Sequence, residues 1–138
     1  MNRLLVVVFS LFCALGLLSA QDHPYRVVFD LTSRDSLEQK AVMRWVKEIS
    51  TSNPKAELEV VMYGKGLELV MPEKSTMTAQ VKEALNNPNV SFRVCEGAMR
   101  NNKVEKSQLF PGVGTVPDGI YEIVSKQREG WGYIKVGH

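Results

Sequence analysis

The stretch SFRVCEGAMRNN, residues 91–102, joins two kinds of local structure at a single residue. The run from Val90 to Cys95 is β-branched and aromatic, which is typical of a strand. The residues EGAMRNN that follow predict a short helix beginning directly after Cys95. A strand that passes straight into a helix is the repeating unit of a parallel α/β sheet, so this stretch indicates the fold class.

The same alternation continues on both sides of this stretch. Helix starts are predicted after Asp35, which together with Glu38 resembles a capping box, and after Asp118. We therefore predict a single-domain α/β sandwich, with a mainly parallel five-stranded sheet flanked by helices and joined by right-handed crossovers. The strand order does not follow from the sequence. The other strand-like runs are 25–31, 57–63, 112–116 and 131–136.

The N-terminal segment, MNRLLVVVFSLFCALGLLSA, differs in composition from the rest of the chain. One positive charge, Arg3, precedes an apolar run that ends in small residues. This order predicts a secretory signal peptide, residues 1–20, and an exported, periplasmic domain at 21–138. An uncleaved membrane anchor is the alternative. The run 4–18 is short for spanning a bilayer, so we expect no stable membrane insertion after cleavage.

Composition and charge argue against several classes of function. The chain is 44% hydrophobic and 23% charged, as in ordinary globular domains. The predicted signal carries one of the 17 basic and none of the 15 acidic residues, so the remainder has a net charge of about +1. Such a chain offers no electrostatic basis for binding nucleic acid. His23 and His138 lack partners at metal-ligand spacing, and the turn 64–66 is too short for a nucleotide loop. We expect no metal and no cofactor.

The carboxyl ends of the predicted strands select the candidate site, because ligands of open α/β sheets bind there. Arg93 joins the set because it lies on the same side of its strand as Cys95, two residues earlier. Glycines in two of the turns allow a ligand to approach the backbone closely. The strand-end candidates are Asp30, then Gly64, Lys65 and Gly66, then Cys95, and finally Pro117, Asp118 and Gly119.

Cys95 is the candidate nucleophile, because the only other cysteine, Cys13, lies in the predicted signal. Helix-start amides and the nearby Arg93 stabilise a thiolate, and Arg100 and Lys103 lie on the helix that follows. The adjacent Glu96 opposes a thiolate. The direction of the net effect does not follow from the sequence. The alternative is that Cys95 is a small buried hydrophobic residue without chemistry.

Four motifs together resemble the DsrE/DsrF-like family of small sulfur-handling proteins: VVFDL, EVVMYGKGLELV, FRVCEGAMR and VPDGIYEIVSKQREGWGYIKV. The resemblance covers about residues 25–136, and the last motif is the most specific. It implies an α/β sandwich that assembles as a trimer or hexamer. It also implies that Cys95 carries a persulfide in a sulfur relay, with the turns 64–66 and 117–119 as neighbouring walls.

Two functions remain open. The first is an exported, sulfurtransferase-like carrier that accepts sulfane sulfur on Cys95, with Arg93 and Lys65 as supporting charges. Its donor and acceptor proteins cannot be identified from this chain. The second is a non-catalytic oligomeric protein of the same fold that binds a small ligand or acts as a scaffold, with Cys95 buried and inert. The relay members of the family are cytoplasmic, and this chain differs from them in its signal-like N-terminus.

Overall fold

The computed structural model describes residues 23–137, which form one parallel five-stranded sheet in the order β4-β3-β2-β1-β5. The predicted fold class is confirmed. The first four strands are added outwards in one direction, and β5 returns to the free side of β1. The strands are β1 (Arg26–Leu31), β2 (Glu57–Met62), β3 (Val90–Cys95), β4 (Gly114–Val116) and β5 (Gly132–Val136).

The predicted signal peptide, residues 1–20, lies outside the described residues. Within 23–137, none of the helices combines the length and the apolar character that crossing a bilayer requires.

Four α-helices connect the strands, and side-chain caps fix two of their starts. The Asp35 carboxylate accepts hydrogen bonds from the amides of the first turn of α1, and Asp118 does the same for α4. The reciprocal half of the predicted capping box is absent, because the Glu38 carboxylate packs against Gly137. The helices are α1 (Ser36–Ser52), α2 (Thr78–Leu85), α3 (Glu96–Asn101) and α4 (Gly119–Arg128), with 3-10 turns at Gly66–Val70 and Lys106–Gln108.

One side of the sheet, here called the core face, is apolar across β1, β2 and β3. Its residues pack against α1, α2 and the Gly66–Val70 turn in one large buried cluster. Burying a large aliphatic or aromatic side chain contributes about 1.5–3 kcal/mol, so this face supplies most of the hydrophobic stabilisation. The core face consists of Val27, Phe29, Leu31, Leu58, Val60, Met62, Val90, Phe92 and Val94.

The opposite side, here called the α4 face, packs mainly against the single helix α4. Its apolar core is small: Val28, Val61 and Ile123. Two carboxylates are buried on this face, Asp30 at 4% exposure and Glu59 at 3%. The strand residues of the α4 face include Val28, Asp30, Glu59, Val61, Ser91, Arg93, Cys95 and Tyr133.

Candidate functional site

A cavity of roughly 350 Å³ opens at the carboxyl edge of the sheet, beside Cys95. Residues from the turn after β2, from the start and end of α3 and from the start of α4 form its walls. Four of the residues predicted from the strand ends therefore meet around one space: Gly64, Cys95, Pro117 and Asp118. The lining residues are Tyr63, Gly64, Cys95, Gly97, Ala98, Arg100, Asn101, Asn102, Pro117, Asp118 and Ile120.

Cys95 is a free, half-buried thiol at the junction of β3 and α3. A methyl group placed on Gly97 would lie 3.5 Å from Cys95 Sγ and 3.7 Å from Arg100 Nη2, so the thiol and the guanidinium flank the same small space. The Glu96 carboxylate accepts a hydrogen bond from Thr115 Oγ1 at 3.1 Å, which holds it towards β4. Arg100 is thus the cation placed beside the thiol.

Gly119 forms the wall of α4 that faces the thiol. A Cβ at this position would lie 3.2 Å from Cys95 Cβ, 3.3 Å from Val61 Cγ1 and 3.4 Å from Tyr63 Cδ1. The first two separations are shorter than ordinary van der Waals contact between carbon atoms, and the third is at its lower limit. The start of α4 can therefore approach the sheet this closely because residue 119 has no side chain.

The turn after β2 forms the opposite wall. Asn102 Nδ2 donates hydrogen bonds to the carbonyls of Gly64, at 3.1 Å, and Ala98, at 2.8 Å, which tie this turn to α3. Gly66 is packed against the Leu31 carbonyl, where a Cβ would clash, so it faces away from the cavity. Lys65 is exposed next to Gly64 and lies outside the cavity lining.

Arg93 lies on the α4 face but points away from Cys95. Its guanidinium passes over Gly114, and its Nε lies 3.8 Å from Glu59 Oε2. Glu59 Oε2 also lies 3.4 Å from Lys126 Nζ and accepts a hydrogen bond from Ser91 at 3.0 Å. Burial raises the pKa of Glu59 despite the opposing charge of Lys126. The predicted support of the thiol by Arg93 has no direct contact in this structure.

Asp30 lies outside the cavity lining and instead holds two tyrosines. Its Oδ2 accepts hydrogen bonds from Tyr133 at 2.6 Å and from Tyr63 at 3.3 Å. The hydrogen bond to Asp30 raises the pKa of Tyr133 to about 12, and burial beside Asp30 raises the pKa of Tyr63. Both phenols therefore stay protonated as donors. Sequence reasoning missed Tyr63, although strand alternation after Glu59 and Val61 puts it on this face.

A second cavity, of roughly 250 Å³, lies between α1 and α2, away from Cys95. The charged residues in its lining, Lys47 and Glu83, pair with each other at 3.3 Å. Within the described part of the chain, we find no group of three or more His, Cys, Asp and Glu side chains arranged to hold a metal ion. Of these two cavities, the one beside Cys95 brings a cysteine thiol together with a charged side chain, Arg100.

Three solved structures share this fold. A protein of unknown function from Methanobacterium thermoautotrophicum, MTH1491, is 29% identical, with a TM-score of 0.75, over 80% of this chain and 98% of its own. The E. coli YchN protein is 9% identical, with a TM-score of 0.69, over 81% and 98%. BT1422 from Bacteroides thetaiotaomicron is 12% identical, with a TM-score of 0.67, over 80% and 94%. At these identities, YchN and BT1422 show the fold alone.

A search of curated proteins gave no significant match. A family model describes the sequence more directly, since it matches residues 26–136, from the first residue of β1 to the last of β5. That match spans the whole sheet and both walls of the Cys95 cavity, and the chain therefore belongs to the DsrE/DsrF-like family.

Proposed function

We propose that this protein is an exported, periplasmic sulfur carrier that accepts sulfane sulfur on Cys95 and passes it on as a persulfide. The DsrE/DsrF-like family is associated with sulfur relay in general. The observation that carries the proposal is the half-buried Cys95 thiol, which opens into a cavity together with Arg100. The proposed export is supported by the signal-like pattern of residues 1–20.

The cavity supplies what a sulfur carrier needs. Cys95 supplies the sulfur nucleophile. Arg100 lies in the cavity lining and attracts donors that are anionic, as polysulfides and persulfides are near neutral pH. The cavity is open at the surface, so a donor and later an acceptor can reach the sulfur in turn.

Loading and release are two thiol exchange steps that balance without an added oxidant. In loading, the Cys95 thiolate attacks the outer sulfur of a donor persulfide R–S–SH. A sulfur–sulfur bond forms on Cys95, the donor bond breaks, and R–S⁻ leaves. In release, an acceptor thiolate attacks the outer sulfur of Cys95–S–SH, and the Cys95 thiolate is regenerated. One cysteine therefore suffices within this chain.

The test is the intact mass of the native protein after incubation with polysulfide, beside Cys95→Ser as the matched control. We expect the wild type to gain one or more sulfur atoms that a reductant removes, and the variant to gain none. Sulfur on the variant would contradict the assignment to Cys95. An unchanged wild-type mass, with a thiol that reacts only after denaturation, would favour the inert scaffold.

We also propose that the protein assembles with copies of itself through α4. Ile120, Tyr121 and Val124 are exposed by 60%, 69% and 41% on the outward side of this helix. Contiguous apolar residues of this kind mark interaction surfaces. The resemblance implies a trimer or hexamer, and Ile120 also lines the cavity, so association would place a second copy at the rim of the Cys95 site.

Light scattering after size-exclusion chromatography tests this assembly. We expect an oligomer for the wild type and a shift towards monomer for Tyr121→Glu. Leu37→Glu is the matched control, because Leu37 is 74% exposed on α1, the helix that packs on the core face. A monomeric wild type, or equal effects of the two substitutions, would contradict self-association through α4.

A further inference from the structure

Asp30 is a buried carboxylate with only half of its hydrogen-bonding capacity in use. Oδ2 accepts from both Tyr133 and Tyr63, whereas the buried Oδ1 has no hydrogen-bond partner within residues 23–137. Burying a carboxylate is costly, and an apolar side chain would fill this position of β1 at lower cost. An incompletely satisfied buried group of this kind points to a role beyond stability.

Tyr63 connects this cluster to the Cys95 cavity. Its hydroxyl bonds to Asp30, and its ring lines the cavity. The ring and the thiol also share a wall: the Cβ position of Gly119 is 3.4 Å from Tyr63 Cδ1 and 3.2 Å from Cys95 Cβ. Tyr133 bonds to the same Asp30 oxygen but is not among the lining residues. The two tyrosines are therefore alike in their bond to Asp30 and different in their relation to the thiol.

We propose that Asp30 is a positioning residue of the Cys95 site: by holding the Tyr63 hydroxyl, it fixes the Tyr63 ring as a wall that admits small sulfur donors to the thiol and keeps bulky ones out. The inference rests on the proposed function in taking Cys95 as the reacting group. It adds a size limit to the donor class, because the ring can move aside only when the hydrogen bond to Asp30 breaks.

Labelling of Cys95 by two thiol reagents of different size tests the wall. The small reagent is iodoacetamide and the bulky one is fluorescein maleimide. We expect Tyr63→Phe and Asp30→Asn to raise the ratio of bulky to small labelling rates by about fivefold, the factor that matches one lost hydrogen bond. Tyr133→Phe is the matched control, and its ratio should stay within about twofold of the wild type.

The control separates positioning from stability. Tyr133 makes the shorter bond to Asp30, so its loss should lower the unfolding midpoint at least as much as the loss of the Tyr63 hydroxyl. If Asp30 only stabilised the fold, the variant that loses more stability would also show the larger change in labelling ratio. The inference is overturned if Tyr133→Phe changes the ratio as much as Tyr63→Phe, or if neither Tyr63→Phe nor Asp30→Asn changes it. If Asp30→Asn fails to fold, the comparison of the two tyrosine variants decides alone.

Failure of this inference is distinguishable from failure of the proposed function. Labelling requires no sulfur donor, so a changed ratio supports the wall even if polysulfide leaves no sulfur on Cys95. Conversely, a protein that gains sulfur but keeps its ratio in every variant retains the proposed function and loses the role of Asp30. A native thiol that neither reagent reaches would overturn both.

Discussion

The two faces of the sheet differ in composition, although the same strands supply both. The core face consists of large apolar side chains in one continuous cluster, whereas the α4 face buries three apolar residues, Val28, Val61 and Ile123, around two carboxylates. Because the core face already stabilises these strands, the α4 face can carry buried carboxylates without unfolding the sheet. Side-chain alternation within single strands therefore puts most of the apolar packing on one face, and the buried carboxylates and Cys95 on the other.

Phe92→Ala should cause the largest loss of unfolding free energy, and it tests whether the core face is the main source of stability. Phe92 is fully buried in the middle of β3 on the core face. Removing its ring should cost about 3–5 kcal/mol of unfolding free energy, through lost burial and a cavity. Urea denaturation measures the loss, and Phe92→Leu, which keeps most of the volume, is the control. Equal stability of wild type and Phe92→Ala would mean that the core face is not the main source of stability.

Gly119→Ala should cost less stability than Phe92→Ala, and it should also slow the labelling of the Cys95 thiol. The added methyl group would press on Cys95, Val61 and Tyr63 at 3.2–3.4 Å. We expect a cost of about 1–3 kcal/mol, as for other overpacked sites, and slower labelling of Cys95 by iodoacetamide. Gly97→Ala is the control for the loss of stability, because its methyl group would make ordinary contacts of 3.5 Å and 3.7 Å. Equal losses of stability in the two variants would contradict the close approach of α4 to the sheet at Gly119.

The raised pKa of Glu59 predicts how the stability of the protein depends on pH. Burial raises its pKa above 4.5 in the folded protein, so between 4.5 and that raised pKa the folded state binds more protons than the unfolded state. Stability from this group is therefore lost as the pH rises through that window. Glu59→Gln should flatten this part of the pH dependence, measured by urea denaturation from pH 4.5 upwards.

Glu122→Gln is the control for that experiment. Glu122 lies 3.7 Å from the same lysine, Lys126, but its side chain is 24% exposed against 4% for Glu59. Because the Glu122 carboxylate also helps to raise the pKa of Glu59, we expect Glu122→Gln to weaken the pH dependence in part and Glu59→Gln to weaken it more. If Glu122→Gln flattens the curve and Glu59→Gln does not, the buried carboxylate is not the group that titrates.

The sequence predicted the fold, and it predicted which strand ends lie at one edge of the sheet, because both depend on local patterns. Alternation of strands and helices indicated the parallel sheet, and the rule for strand ends brought Cys95, Gly64 and Pro117 to one cavity. Asp118 was predicted as a helix cap from its position before an apolar helix face, and it does cap α4. Each of these inferences needs only residues close together in the chain.

The rest depended on partners that are distant in sequence. Arg93 lies 3.8 Å from Glu59 on a neighbouring strand, and this ion pair does not follow from local pattern. Asp30 and Tyr133 meet because β5 returns to pair with β1, and that strand order was not predictable. The sequence places Arg100 on the helix after Cys95, but the small space that it shares with the thiol beside Gly97 is seen only in the structure.

Cys95→Ser should have the smallest effect on stability. Comparing it with Val94→Ser contrasts the two faces at adjacent positions of one strand. Cys95 and Val94 are neighbours on β3 that point to opposite faces, and Val94 is fully buried while Cys95 is partly exposed. We expect Cys95→Ser to change the unfolding free energy by less than about 1 kcal/mol, and Val94→Ser to cost about 2 kcal/mol or more. Urea denaturation of the two variants under one condition gives both values. Similar losses would make Cys95 a packing residue, because a side chain kept for its reactivity has no need to stabilise the strand that carries it.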